Sequence, residues 1–284
     1  MKSNFSVLII LLIFAVTYKA QSDEFLPRPS PSASVSQTIG YTAITINYCR
    51  PGVKGRKILG DIVPYNKIWR TGANESTTIH FTTDVVVEEN KVPAGIYSLF
   101  TIPSENDWTV ILNKSYKNWG TIYNESEDLL RLKVKSSKGN FTERLQFSFS
   151  EITDSSVNVL LDWDDFQIRF KVEIDLTEQF YQKVKEKIAI RPDDWSIYAN
   201  AAQYSADHEF LLKEALIWID RAISINKVYT AFYIKAKVLF KMDKFTEALR
   251  NIDKCREIGR TDKNWDSFVS QVDFLEKQIK SKMN

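Results

Sequence analysis

Two cysteines and two histidines are all that this 284-residue chain has of the side chains most used for metal and thiol chemistry. His80 and His208 fall in different halves with no Cys or Glu at ligand spacing, which argues against a zinc site. Cys49 continues an alternating strand and Cys255 takes a small-residue position in a helical repeat. A disulfide between them would have to bridge two domains, so both read as buried thiols. No nucleophile elbow, phosphate loop or dinucleotide fingerprint occurs, so no catalytic residue can be named and no cofactor or metal is expected. Charge of one sign is also lacking. With 38 basic and 36 acidic residues the net charge is +2, and composition makes no case for nucleic acid or an anionic membrane as partner.

Long apolar runs are absent too. The longest, Val7 to Val16, covers about ten residues, half of the roughly 20 that a membrane span needs. Lys2 precedes it and Ala20 follows at a plausible cleavage position, the layout of a signal peptide over residues 1–20. Export to the periplasm or the medium is the expectation, with no membrane span in the mature chain. No Cys follows the apolar core, which speaks against a lipid anchor. Residues 21–33 carry Pro27, Pro29 and Pro31 and read as an extended, loosely held leader.

What the sequence does have is a change of hydrophobic period near Leu176. The run Phe166, Ile168, Phe170, Val172, Ile174, Leu176 alternates strictly, as a half-buried strand does. Beyond it, Phe180, Val184 and Ile188 recur at helical spacing. Residues 34–176 therefore read as a β domain and residues 177–284 as a helical one. In the β half, strand-like runs include Ile44, Ile46 and Tyr48, then Trp108, Val110 and Leu112, then Leu145, Phe147 and Phe149. Turn clusters separate them, among them Glu89-Asn90, Lys138-Gly139-Asn140 and Asp162 to Asp165. Eight or so short strands with one apolar face each predict a mostly antiparallel β-sandwich, with a small barrel as the alternative.

One long connection, from Arg50 to Glu75, breaks the alternation. It holds Gly52, Gly55, Gly60 and Gly72 together with Arg56, Trp69, Arg70 and Asn74. The two guanidinium forks could grip a carboxylate or phosphate, Trp69 could stack, and Asn74 could hydrogen-bond both ways. The structural alternative is an ordered Ω-type loop whose arginines satisfy carbonyls and whose Trp plugs the end of the sandwich. The carboxylates Glu125, Glu127 and Asp128 invite a glycosidase reading, although acidic residues there also suit a turn. Asp162, Asp164 and Asp165 fit a solvated turn better than a calcium loop.

The loop residues, with Pro93-Ala94-Gly95-Ile96-Tyr97-Ser98-Leu99-Phe100-Thr101-Ile102-Pro103, Trp108-Thr109-Val110-Ile111 and Asn118-Trp119-Gly120, resemble the bacterial domain-of-unknown-function 2911 family from about Pro27 to Leu176. The resemblance implies an exported bacterial β domain and supplies no activity or site residue.

In the helical half, Thr177 is a candidate N-cap, Arg191-Pro192 ends the first helix, and Asp193 or Asp194 caps the next. Segments from Glu214 and from Glu247 align at a spacing of 33 residues, pairing Ala215 with Ala248, Ile219 with Ile252 and Ala222 with Cys255. The pattern resembles tetratricopeptide repeats, a short α-helical solenoid. It departs from them in lacking the repeat-ending proline and in an expected longer connection around Asp207-His208. Together these features predict a multidomain β-plus-α protein that binds or scaffolds in the bacterial envelope. Its partner would be a protein or a small acidic or sugar-like ligand. A carbohydrate-active or other hydrolase using loop carboxylates is the alternative.

Overall fold

Residues with period-two patterning form strands, because alternation places one side-chain set on a common buried face. The computed structural model describes residues 26–283, and the expected signal peptide lies outside them. The β half consists of β1 (Ser32–Ile39), β2 (Thr42–Cys49), β3 (Thr78–Phe81), β4 (Val85–Val87), β5 (Asn90–Val92), β6 (Gly95–Ile102), β7 (Asp107–Asn113), β8 (Asp128–Ser150) and β9 (Ser156–Glu173). They form one antiparallel sheet in the order β1-β2-β3-β6-β7-β8-β9-β4-β5. Glu88 and Glu89, both at positive φ, close the tight β4–β5 hairpin at the expected turn.

Two expected turns are not turns. Lys138-Gly139-Asn140 lies inside β8 and Asp162 to Asp165 inside β9. Residues 128–135 of β8 pair with β7, whereas residues 136–150 pair with β9, and the register shifts between Lys138 and Thr142 and again between Thr142 and Gln146. Asp164 sits at φ 52°. The turn-forming residues therefore serve as irregularities that bend long strands. The two apolar faces meet in one core: Ile44, Ile79 and Leu99 belong to the same cluster as Phe147, Val159 and Phe170.

The described part of the leader, residues 26–33, is better fastened than its prolines suggest. Arg28 pairs with Glu75 at 2.7 Å. Asn74 donates to Ser30 O at 3.1 Å, and Arg50 N–H donates to Pro31 O at 2.9 Å.

Six helices follow: α1 (Leu176–Ile190), α2 (Trp195–His208), α3 (Leu212–Ile225), α4 (Tyr229–Lys241), α5 (Phe245–Gly259) and α6 (Trp265–Met283). The N-cap of α1 is Asp175, whose carboxylate accepts from Glu178 N–H at 2.9 Å, and not Thr177. A carboxylate outcompetes a hydroxyl there because it also meets the positive helix end. Asp194 caps α2. Helices α2 and α3 form one hairpin and α4 and α5 another, with α4 also packed on α2 and α3. The aligned residues Ala215 and Ala248, Ile219 and Ile252, and Ala222 and Cys255 are all buried. The connections are residues 209–211 and 242–244, so the expected longer first connection is absent. Glu209 and Leu211 take left-handed backbone instead and turn the chain in the same space. Gly259 is required by a close approach, since a Cβ there would lie 2.1 Å from the Trp265 ring. Both cysteines are free and buried, and burial pushes the Cys255 thiol up to about 11.

Candidate functional site

The connection from Arg50 to Glu75 is ordered by short backbone pairings. Val53 N–H donates to Glu143 O at 2.8 Å, Val63 N–H to Ile58 O at 2.9 Å, and Asn66 N–H to Pro103 O at 2.8 Å. Trp69 and Thr101 exchange two backbone hydrogen bonds at 2.8 and 2.9 Å. Val53, Ile58 and Val63 are buried in the β core, which explains how a loop rich in Gly holds one shape.

Within it, the four sequence candidates divide. Trp69 stacks on Trp163 at 5.7 Å and meets Trp108 edge-on at 6.2 Å, so it closes the end of the core. Arg56 donates Nε to Val53 O at 3.1 Å and Nη2 to Gly52 O at 2.7 Å. Much of its fork is thus engaged by its own loop. Asn74, at φ 59°, holds the leader through Ser30. Arg70 makes no hydrogen bond or ion pair among the described residues, although it is half-buried.

Arg56, Trp69 and Arg70 line one cleft of about 510 Å³ with Ser30, Ile62, Phe100 and Tyr123, and with Trp163 also on its wall. Asn74 is not among the residues that line it. The missing partners come from distant segments. Gly120 packs directly on Arg70, where a Cβ would lie 2.6 Å from Arg70 Cδ and 3.1 Å from its Cβ. Only a residue without a side chain lets the 118–122 loop approach so closely. No local sequence signal joins Arg70 to Gly120 or Tyr123, since the contact crosses about 50 residues.

Behind the cleft, Tyr123 stands edge-on to Phe100 at 5.1 Å. Its hydroxyl donates to Asp128 Oδ2 at 2.6 Å. Arg131 also donates to that hydroxyl and binds Asp128 at 2.6 Å. Asn113 Nδ2 donates to the other Asp128 oxygen at 2.7 Å. Burial first, and the Asp128 carboxylate second, push the Tyr123 hydroxyl up to about 12, so it stays protonated at neutral pH. This network fixes one cleft wall. It also engages two of the three carboxylates of the hydrolase reading, for Glu125 pairs with Arg131 at 3.0 Å alongside Asp128. Neither residue lines the cleft, and among the described residues no other Asp or Glu does. Asp162 accepts from Gln167 at 2.6 Å within β9. The Asp164 carboxyl is raised by burial and by neighbouring Asp165 and Glu143.

At the other end of the loop, Cys49 Sγ donates to Glu75 Oε2 at 3.3 Å. Burial raises that thiol, so it is no ready nucleophile. Among the described residues no group of three or more His, Cys, Asp or Glu could hold a metal ion.

Fold and site together define the class: an antiparallel β domain with a cationic, aromatic-walled cleft, followed by packed helix hairpins. Residues 30–172, about half of the chain, match the model of the family described as a protein of unknown function, DUF2911, and the chain belongs to that family. No curated protein matches the chain.

Proposed function

We propose that this chain is an exported, non-enzymatic binding protein of the bacterial envelope. Its β domain holds a small acidic ligand in the Arg70 cleft, and its helices act as a tetratricopeptide-type scaffold. The observation that carries the reading is Arg70 itself: a half-buried guanidinium with no partner among the described residues, in a lining where these supply two arginines and no carboxylate. A planar fork so placed pairs bidentately with a carboxylate, and Trp69 and Phe100 supply apolar walls. A hydrolase would need two carboxylates facing one substrate, whereas Glu125 and Asp128 face Arg131. Export is supported by the Lys2, Val7–Val16 and Ala20 pattern. The repeat reading is supported by the burial of both aligned sets of small residues and by the stacking of the two hairpins.

The test is thermal stabilisation and calorimetric titration with glutarate, citrate and glucuronate against neutral analogues. A ligand at one hundred times its Kd stabilises by about 2.7 kcal/mol, and Arg70→Ala removes that gain. Absence of stabilisation by any of these acids would count against the cleft as an anion site.

A further inference from the structure

Around the cleft, large apolar side chains stand in solvent. Among the described residues thirteen large hydrophobics are exposed, and five of them, Ile62, Tyr65, Ile68, Trp119 and Ile122, belong to the two short segments that frame the Arg70 cleft. Trp119 and Ile122 are 53% and 55% exposed. These positions are not loose. Ile122 N–H donates to Trp119 O at 2.9 Å, Ser76 Oγ donates to Asn118 O at 3.0 Å, and Trp119 bridges to Glu75. On the other side, the Asn66–Pro103 and Trp69–Thr101 hydrogen bonds hold the segment that carries Ile62, Tyr65 and Ile68. The apolar groups are therefore presented on fixed backbone, and little ordering entropy opposes their use in binding.

We infer that the occupant of this face is a protein segment carrying an acidic side chain flanked by apolar residues. The acid enters the cleft toward Arg70, and its neighbours cover the rim. The inference rests on the reading of the cleft as an anion site and adds the partner class. A free dicarboxylate would pair with Arg70 and leave the rim in water, where clustered apolar side chains are unfavourable and mark contact surfaces. An acidic polysaccharide fits less well. Sugar rings pack on flat aromatic faces, and three of the five rim residues are isoleucines, which have none. Two arginines, with no lining carboxylate among the described residues, complement an acidic anchor. A buried anchor surrounded by an apolar ring is the usual energetic layout of a protein contact.

The experiment uses fluorescein-labelled heptapeptides with a central Asp flanked by Leu, Ile or Phe, their Asn counterparts, and free glutarate and glucuronate, all measured on the full mature chain. At least one Asp peptide should bind about tenfold or more tightly than its Asn counterpart and than either free acid. The double substitution Trp119→Ser, Ile122→Ser should weaken that peptide about tenfold while glutarate binding stays unchanged. Tyr65→Ser, outside the cleft lining, gives an independent second variant, with circular dichroism as the folding check. Equal affinity of the rim variants for the peptide, or a free acid that binds as well as the best peptide, overturns the partner class and leaves the anion cleft standing. A concentration-dependent dimer in sedimentation velocity, abolished by the rim variants, would make the face a contact between copies and also overturns it. Failure of every acid and every peptide removes the cleft reading as well.

Discussion

Gln179 of α1 donates its side-chain N–H to Thr42 Oγ1 at 3.0 Å and to Thr83 Oγ1 at 2.9 Å, which keys the first helix to the β domain. Thr42 and Thr83 are themselves 2.6 Å apart. The Gln179 carbonyl oxygen is buried there with no partner among the described residues. The junction therefore contains one satisfied and one unsatisfied half of the same amide. Gln179→Ala removes both, and Thr42 and Thr83 keep each other. Its stability change in urea unfolding should be about 1 kcal/mol or less. A loss above about 3 kcal/mol would show that the junction carries far more than these two hydrogen bonds.

A chain ending at residue 176 should fold by itself. The β core is one cluster that draws on the region beyond β9 only for Ile174 and Leu176, and the helices have separate clusters. Cooperative melting with a β-type far-ultraviolet spectrum is the expected result. An unfolded fragment would mean that the helices complete the β core.

Arg70 and Arg56 should separate cleanly in a melting experiment. Arg70 satisfies no acceptor among the described residues, so Arg70→Ala should change stability by no more than about 0.5 kcal/mol. Arg56→Ala leaves the Gly52 and Val53 carbonyls without their side-chain donor, at a cost of about 1–2 kcal/mol. A large fall in Tm for the Arg70 variant would make that arginine part of the loop's framework.

Ala248 is fully buried between helices while Glu247 is exposed. Ala248→Trp should cost roughly 1–3 kcal/mol or more through overpacking, and Glu247→Gln should be close to neutral. Equal melting temperatures for the two variants would contradict the packing of α4 on α5.

Acid should loosen the contact between α5 and α6. Lys280 and Arg256 hold the Glu276 carboxyl below the usual range despite its partial burial. The Arg256 contact is 2.5 Å and the Lys280 contact 2.6 Å. A depressed folded pKa means stability that is present above the unfolded value and is lost as pH falls through the ordinary carboxylate range to the folded one. Glu276→Gln should flatten that part of the stability–pH curve, measured by denaturant unfolding from pH 6 to about 3. An unchanged slope would show that the ion pairs contribute nothing measurable.

The sequence by itself determined the division into β and helical halves, the inward faces of the strands with an unbroken alternation, such as β2, β7 and β9, and the buried positions that α3 and α5 share. All of these follow from local periodicity: a two-residue or 3.6-residue repeat decides which side chains share a face before any long-range contact forms. It also marked Arg50 to Glu75 as the segment to watch, and three of its four candidates line one cleft. What only tertiary structure decided is how distant segments meet. Lys138-Gly139-Asn140 has turn chemistry, yet the pairing of β8 first with β7 and then with β9 makes it a bend within one strand. Arg56 and Arg70 are indistinguishable by residue type. One is engaged by carbonyls three and four residues away. The other is left open beneath Gly120, because loop closure over about 50 residues brings that glycine to it. Periodicity records which way a side chain faces, and only the folded chain records what stands opposite it.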